Sequence, residues 1–292
     1  MSARDIAGLL LVALVWGVNF AVVKAGLAEL PPVFFVALRF AAVALVLVPF
    51  VRLPRQKLGR LVLLSITLGG LHFSLMFVGL RDLDVATAAI AIQLQVPFAA
   101  ILAAVFLDDR LGWRRLAGMA IAFAGVALIA GEPRIGGNLM PLALVVSAAL
   151  VWAVANIQIK ALGDIDVFAL SAWVAVLAAP QLFVASLLLE DGQWTALAAA
   201  GWTAWGSIAY QVVLVTILGY GIWYWNMQRH AVNQVMPFTL LVPLFGVLSG
   251  IVFFDERLTG PMIAGGLATI AGVAVVVIRR PRVVAPSTKG GL

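Results

Sequence analysis

Few residues in the apolar parts of this sequence could do chemistry, and most of them are basic. Lys24, Arg39, Lys160 and His72 lie within or beside long apolar stretches. Lys24 and Arg39 could attract a substrate carboxylate, or they could bind helix-end carbonyls and extend toward the surface. His72 is a candidate for substrate contact or pH dependence, and simple packing is its alternative role.

The sequence lacks the usual catalytic machinery. It has two histidines and no cysteine, which excludes thiolate metal ligands, cysteine nucleophiles and disulfides. It contains neither the H-E-x-x-H motif nor the G-x-S-x-G motif, and it has no paired acids within an apolar stretch. We therefore expect no enzyme activity, no metal and no cofactor.

Aromatic, amide and methionine side chains recur at helical spacing and form polar-aromatic stripes. Such a lining suits a pocket for a zwitterion with an apolar side chain, because amides contact both ammonium and carboxylate. Hydrogen bonding between helices is the alternative role for each residue. Trp223 and Trp225 are expected in the interfacial aromatic belt instead. The candidate binding residues are Trp16, Asn19, Phe20, His72, Met76, Gln93, Trp152, Asn156, Tyr210, Tyr224, Asn233 and Met236.

Proline and glycine mark sites of bending and of close helix packing. Pro97, Pro237 and Pro243 interrupt backbone hydrogen bonding inside apolar stretches and are candidate hinges or gates. Two pairs with seven-residue spacing, Gly118 with Gly125 and Gly265 with Gly272, favour close helix packing. We interpret them as internal contacts, with a dimer contact as the alternative, and expect a monomer or weak homodimer.

The composition requires that these residues sit in a membrane. Of 292 residues, 64% are hydrophobic and only 11% are charged, whereas soluble domains are about 25% charged. The mean hydropathy is +1.11. The net charge of +6 comes from basic residues scattered between apolar runs, unlike the clustered patches of nucleic-acid binders. We expect a lipid bilayer and a small molecule as partners, and no nucleic acid.

Ten apolar stretches are long enough to span a bilayer, which needs roughly 20 residues each. The runs are continuous rather than alternating, which excludes a transmembrane β-barrel. The sequence therefore predicts an all-α, polytopic membrane protein. The predicted segments are Ile6–Leu27, Pro32–Val51, Leu61–Leu80, Val85–Leu107, Trp113–Ala130, Leu139–Ile159, Val167–Leu188, Trp202–Tyr224, Val232–Phe254 and Pro261–Ile278.

The positions of the charges predict an orientation and limit the substrate. With a cytoplasmic amino terminus, 14 of the 19 basic residues lie in cytoplasmic segments and four lie opposite. Because basic loops stay inside, both termini are predicted to be cytoplasmic. None of the 13 acids lies in the middle of a segment. Proton-coupled export of lipophilic cations is therefore disfavoured, because it would normally need a buried carboxylate.

The two halves of the chain repeat each other. At an offset of 147, eight of the 21 positions that start at Arg110 and Arg257 are identical. Near the start of each half, a tryptophan precedes a lysine by eight residues, as Trp16 and Trp152 show. Each half has five segments, an odd number, so the second copy must enter the membrane from the opposite side. Residues 1–132 and 133–292 are thus predicted to be inverted repeats, the architecture of alternating-access transporters.

These features resemble the drug/metabolite transporter superfamily, specifically its EamA-type ten-helix exporters. The resemblance covers roughly residues 8–280. The residues that support it are Trp16-Gly17-Val18-Asn19-Phe20 with Lys24, Arg39, and the stretches from Pro97 to Leu111 and from Pro243 to Leu258. Asp109 stands where the family more often has Glu, and Trp152-Ala153 replaces Trp-Gly.

The resemblance implies an exporter in a bacterial-type inner membrane, with a central cavity lined by segments 1, 3, 4, 6, 8 and 9. Aromatic-rich members, such as the YddG-type exporters, move amino acids. We expect a secondary transporter for neutral or zwitterionic metabolites, most of all amino acids with aromatic or hydrophobic side chains. Export of drugs, nucleosides or sugar-type metabolites is the alternative, followed by a channel or an intramembrane enzyme. The coupling ion and the direction of transport stay open.

Overall fold

The fold is taken from a computed structural model. It describes residues 1–106, 112–132, 137–230 and 232–278, without the side chains of residues 232 and 233. Several predicted features lie outside the described residues: the acid-Arg-Leu turn at 108–111, Arg134, the basic residues after 278 and the side chain of Asn233. The predicted orientation depends in part on these residues.

Ten long apolar helices, α1 to α10, make up most of the described chain, and no strand occurs in it. This confirms the all-α polytopic fold. Their limits agree with the predicted segments to within a few residues, except that α3 begins six residues earlier and α8 ends five residues later. The helices are Ala3–Leu27, Pro32–Phe50, Arg55–Asp82, Val85–Phe106, Trp113–Ala130, Met140–Leu162, Val167–Leu189, Trp202–Arg229, Met236–Phe254 and Gly260–Ile278.

The two ends of the bundle can be defined by contacts between α1 and α8. Asp5 at the start of α1 contacts His230 after α8, with Oδ2 3.0 Å from Nε2. At the other end, Glu29 after α1 accepts a hydrogen bond from the backbone N–H of Gly201, just before α8, at 2.7 Å. The two helices are therefore antiparallel. We call these the Asp5 end and the Glu29 end.

Three helices begin at the Glu29 end, and a carboxylate from a distant segment of the chain caps the first turn of each. Glu190 accepts hydrogen bonds from the backbone of Val33 and Phe34 at the start of α2, at 2.8 and 3.0 Å. Glu256 does the same for Val85 and Ala86 at the start of α4, at 2.6 and 2.9 Å. These carboxylates satisfy N–H groups that have no partner within their own helix and oppose the positive end of its dipole.

Glu29 is the third of these carboxylates, at the start of α8. Its Oε2 accepts from Gly201 and, at 3.3 Å, from the backbone of Ala204. The bond from Gly201 is the main reason that the pKa of Glu29 lies below its usual value. Its stabilising effect is therefore present at neutral pH and is lost as the pH falls and the carboxylate is protonated.

Helices α5 and α10 pack at backbone contact through the duplicated glycines. A Cβ added at Gly125 would lie 2.5 Å from the carbonyl oxygen of Gly265, and one added at Gly265 would lie 2.6 Å from that of Gly125. Gly118 faces Gly272 in the same way, since a Cβ added at Gly118 would lie 2.8 Å from the carbonyl oxygen of Gly272. The prediction of internal packing is confirmed, since both glycine pairs meet within one chain.

Four helices have irregular turns that fall at matching places in the two halves. Wide π-helical turns span Ser65–His72 in α3 and Gln211–Gly219 in α8, close to the offset of 147. Tight 3-10 turns occur at Ile92–Leu94 in α4 and Met236–Leu240 in α9. Such turns hydrogen-bond less well than α-helix, so these four helices deform more easily there.

The glycine contact predicts a stability difference between two alanine variants. Gly125→Ala forces α5 away from α10 and should lower the free energy of unfolding by about 1–3 kcal/mol, the usual cost of overpacking. Gly206→Ala is the matched control, because a Cβ there meets nothing within 4 Å. Thermal unfolding in detergent, followed by the loss of the monodisperse elution peak, measures both. Equal midpoints for the two variants would contradict the packing argument.

The carboxylate cap on α2 predicts that substitutions of two adjacent acids, Glu190 and Asp191, differ in their effect on stability. Glu190→Gln replaces one carboxylate oxygen with an amide donor that faces a backbone N–H, and should cost about 1–2 kcal/mol. The control is Asp191→Asn, since Asp191 is exposed. The same thermal unfolding assay compares them. A midpoint for Glu190→Gln as high as that of Asp191→Asn would show that the cap does not stabilise α2.

Candidate functional site

A cluster of aromatic and basic side chains joins α1 to α8. The indole ring of Trp16 packs against the rings of Tyr220 and Trp223, with centroids 5.6 and 5.4 Å apart. Its Nε1 donates to the carbonyl oxygen of Val215 at 3.4 Å. A π-helical stretch leaves carbonyl groups without their usual i+4 partner, which explains why Val215 is available to Trp16.

Arg39 of α2 continues this cluster toward α3. Its guanidinium carbon lies 4.2 Å from the ring centroid of Phe73 and 5.3 Å from that of Phe40. It also interacts electrostatically with Tyr220 and His72. Arg39 is only 5% exposed, and its Nε is enclosed without a hydrogen-bond partner. Among the described residues, no carboxylate forms an ion pair with it.

His72 links the cluster to α6. Its ring centroid lies 4.7 Å from Phe73 and 4.8 Å from Trp152. Its Nδ1 lies 2.9 Å from the carbonyl oxygen of Ala148, and because that oxygen can only accept, the proton of this hydrogen bond is on Nδ1. His72 is thus fixed in orientation, and its Nε2 is directed away from that bond. We call the whole set the central cluster: Trp16, Arg39, His72, Phe73, Trp152, Tyr220 and Trp223.

The central cluster lies deep in the bundle. Trp16 is 11 residues from the end of α1, and His72 is 10 residues from the end of α3, which places both about 15 Å below the Glu29 end. Trp152 is 10 residues from the opposite end of its helix, α6. Since a bilayer core is about 30 Å thick, the cluster lies near its middle.

Asn19 and Phe20 follow Trp16 on α1 and are half-buried. The Oδ1 atom of Asn19 is fully enclosed and has no hydrogen-bond partner. Phe20 packs against the main apolar core and lies close to Gly246 of α9. Asn19 therefore has an amide oxygen in α1, one helical turn from Trp16, that accepts no hydrogen bond from the described residues.

The other predicted binding residues are less closely tied to the cluster. Met76 and Gln93 are buried, Met236 is half-buried and Asn156 is exposed. Tyr224 stacks at 6.4 Å from Tyr220, so it extends the cluster along α8. Tyr210 donates instead to the carbonyl oxygen of Val15 at 2.9 Å, which joins α8 to α1.

The two lysines have different environments. The Nζ of Lys24 donates to the carbonyl oxygen of Leu83, the residue after α3, and lies 6.0 Å from the ring of Phe254. Lys24 therefore binds a helix-end carbonyl, one of its two predicted roles. Lys160 is exposed near the end of α6.

The three candidate hinge prolines lie beside the tight turns. Pro97 follows the 3-10 turn of α4 by three residues, and Pro237 lies within the 3-10 turn of α9. Pro243 is buried one turn farther along α9. Missing N–H donors explain why the backbone tightens at these places.

Sequence reasoning missed Tyr220 and Phe73, and it placed Trp223 wrongly. Trp223 packs against Trp16 inside the bundle instead of lying in an aromatic belt. Trp225 fits the belt better, since it is 53% exposed and stacks with Arg229 at 3.6 Å. The helical spacing of Tyr220 and Tyr224 was a signal that could have identified Tyr220.

A surface cavity of about 390 Å³ lies at the Glu29 end, away from the central cluster. It is lined by residues 27–32, Arg81 and residues 189–191, in the connections after α1, α3 and α7. Among the described residues there is no group of three acidic, histidine or cysteine side chains that could hold a metal ion.

Comparisons with known proteins identify the family. Residues 4–131 and 139–278 match the EamA-like transporter family. The chain is 34% identical over 285 residues to a "Probable amino-acid metabolite efflux pump" of Escherichia coli, which covers 94% of this chain and 95% of that one. It is 29% identical over 197 residues to a "Probable terminal-alkyne amino-acid exporter" of Streptantibioticus cattleyicolor, covering 65% and 63%.

A solved structure shares the fold across nearly the whole chain. It superposes with a TM-score of 0.61 and 17% sequence identity, and covers 94% of this chain and 96% of its own. At that identity the likeness concerns the fold alone. Together with ten membrane helices and the family match over both halves, these similarities establish that the chain is a multi-pass membrane protein of the EamA-like transporter family.

Proposed function

We propose that this protein is a secondary transporter that exports amino acids with aromatic or hydrophobic side chains, or closely related zwitterionic metabolites. The central cluster is the observation that carries the proposal. It brings aromatic faces, an imidazole and one cation together near the middle of the membrane, where helices from both halves of the chain meet. Aromatic rings there can stack on an apolar side chain, and buried polar groups can orient a zwitterion.

The names of two relatives support the substrate class. Both the Escherichia coli and the Streptantibioticus cattleyicolor proteins are named for amino acids or their metabolites. The distribution of acids agrees with this choice, since no described carboxylate pairs with a cluster residue. A lipophilic cation would have to bind beside an uncompensated arginine, which is unfavourable.

The matching irregularities of the two halves support inverted repeats at residues 1–132 and 133–292, and hence alternating access. Trp16 packs against Gly219 at the end of one π-helical stretch, and Trp152 packs against His72 at the end of the other. The two tryptophans are related by an offset of 136, and His72 and Gly219 by 147. Equivalent contacts thus recur on α1–α8 and α6–α3, as two copies of one unit would produce.

The orientation is also part of the proposal. With the Asp5 end in the cytoplasm of a bacterial-type cell, Arg4, Arg52, Arg55 and Arg60 lie inside the inner membrane, as basic residues do. The three carboxylate caps on α2, α4 and α8 then face outward. Nothing in this arrangement requires a cofactor or catalytic chemistry.

The substrate is tested by counterflow in proteoliposomes. Vesicles loaded with unlabelled phenylalanine should take up labelled phenylalanine and leucine transiently, because a transporter exchanges substrate across one alternating site. A panel with nucleosides and a lipophilic cation such as tetraphenylphosphonium completes the assay, and empty liposomes are its control. Counterflow of the cation without amino-acid counterflow would overturn the proposal. Amino-acid flux without counterflow or saturation would identify a channel instead.

Asn19 gives a prediction that separates substrate contact from folding. Because its Oδ1 has no partner in the described part of the chain, Asn19→Ala removes no internal bond of that atom seen there and should leave the thermal midpoint unchanged or raised. If this amide contacts substrate, exchange should slow about fivefold, the equivalent of one lost hydrogen bond of about 1 kcal/mol.

Asn226→Ala is the matched control for this variant. Asn226 is buried, its Oδ1 also lacks a partner among the described residues, and its Nδ2 donates to the carbonyl oxygen of Ile222 in its own helix at 2.9 Å. Counterflow rates of the two variants are compared at equal reconstituted amounts. Normal exchange by Asn19→Ala would remove Asn19 from the substrate path.

A further inference from the structure

We propose that Arg39 binds the carboxylate of the substrate, so that the transporter selects for an acid group. This inference rests on the proposed function and adds the chemical group that is recognised. It starts from the free-energy cost of the residue. A guanidinium in the membrane interior is expensive unless an anion or several acceptors accompany it. Arg39 is 5% exposed, and its enclosed Nε has no acceptor.

The aromatic contacts of Arg39 compensate only part of that cost. The faces of Phe73 and Phe40 lie 4.2 and 5.3 Å from the guanidinium carbon, within the range of cation–π attraction. These contacts hold the planar group in place but supply no hydrogen-bond acceptor. No hydrogen bond or ion pair joins Arg39 to another residue in the part of the chain that the structure describes. A planar donor fork held rigidly in this way matches the two oxygens of a carboxylate.

The fold does not need a cation at this place. Helix α7 packs against α2 and occupies the corresponding position in the second half of the chain. From Val167 to Leu189 it contains no charged residue. If the guanidinium served only to hold the helices together, the same fold unit would be expected to need it twice. It occurs once, beside the aromatic rings of the central cluster.

The surroundings of Arg39 indicate the size of the ligand. Tyr220 and His72 interact with it electrostatically, and Trp16 and Trp152 lie beyond them on α1 and α6. A monocarboxylate bound to the guanidinium would therefore have its side chain among aromatic rings. One cation balances one carboxylate. The site fits a neutral amino acid or an aromatic monocarboxylate better than a phosphate ester, which would carry a second charge.

Binding of four phenylalanine analogues to the purified protein tests the inference. Phenylalanine, N-acetylphenylalanine and 3-phenylpropanoate retain the carboxylate, whereas phenylalaninamide lacks it. Competition against labelled phenylalanine, with ligand-induced thermal stabilisation as an independent readout, gives the affinities. We expect the wild type to bind the amide at least about tenfold more weakly than the acids, a difference of about 1.4 kcal/mol.

Arg39→Gln should bring the acid-to-amide ratio to about one by weakening the acids. Arg55→Gln is the matched control, because Arg55 is exposed near the Asp5 end, and it should keep the wild-type ratio. Arg39→Lys covers the case in which Arg39→Gln does not fold. Lysine keeps the positive charge but cannot bind both carboxylate oxygens with a planar set of donors, so the acid-to-amide affinity ratio should fall without reaching one. A purely structural role would weaken acid and amide equally in both variants.

The outcomes separate this inference from the proposed function. Amino-acid counterflow with equal affinities for acid and amide in the wild type would overturn the role of Arg39 and leave the exporter proposal standing. Binding of 3-phenylpropanoate that depends on Arg39, without amino-acid transport, would overturn the exporter proposal and leave the carboxylate site. Failure of the wild type to bind any of the carboxylates would overturn the inference directly.

Discussion

The hydrocarbon core of a membrane offers no hydrogen bonds, and this constraint organises the whole structure. Each helix satisfies its own backbone except in its last turn, where carbonyl groups need outside donors, and in its first turn, where N–H groups need outside acceptors. At the Glu29 end these acceptors are Glu29, Glu190 and Glu256, which come from segments far away in sequence. Helix capping and tertiary packing are therefore one interaction here. The same carboxylates that complete α2, α4 and α8 also bind them to other helices.

In the middle of the bundle, by contrast, some enclosed polar atoms have no partner among the described residues. Arg39 and Asn19 each contain an enclosed polar atom without a partner, close to Trp16 and His72. An unpaired buried polar atom costs stability, so the chain would gain stability if these residues were replaced with apolar ones. In the transporter that we propose, a substrate provides the missing partners of Arg39 and Asn19.

The sequence was sufficient for the helices and their limits, because long apolar runs have one stable form in a bilayer. It also indicated close internal packing at the duplicated glycines, although not that α5 and α10 are the helices that meet there. The composition of the site was harder to foresee. Helical periodicity shows which residues share a face, but not which neighbour that face meets, so Tyr220 and Phe73 were missed. Trp223 was misplaced for the same reason, since only tertiary contact with Trp16 distinguishes it from Trp225.

The distribution of regular and irregular helix explains how such a bundle could move around its centre. Helices α5 and α10 are regular, meet at backbone contact and contribute nothing to the central cluster. Helices α3 and α8 contribute His72 and Tyr220 beside their π-helical turns, and α4 and α9 have tight turns near their prolines. Bending costs least where hydrogen bonds are poorest, and in α3 and α8 those places adjoin the cluster. A rigid pair at the side and deformable helices at the centre suit the alternating access that we propose, in which the site opens to either end while the fold keeps its contacts.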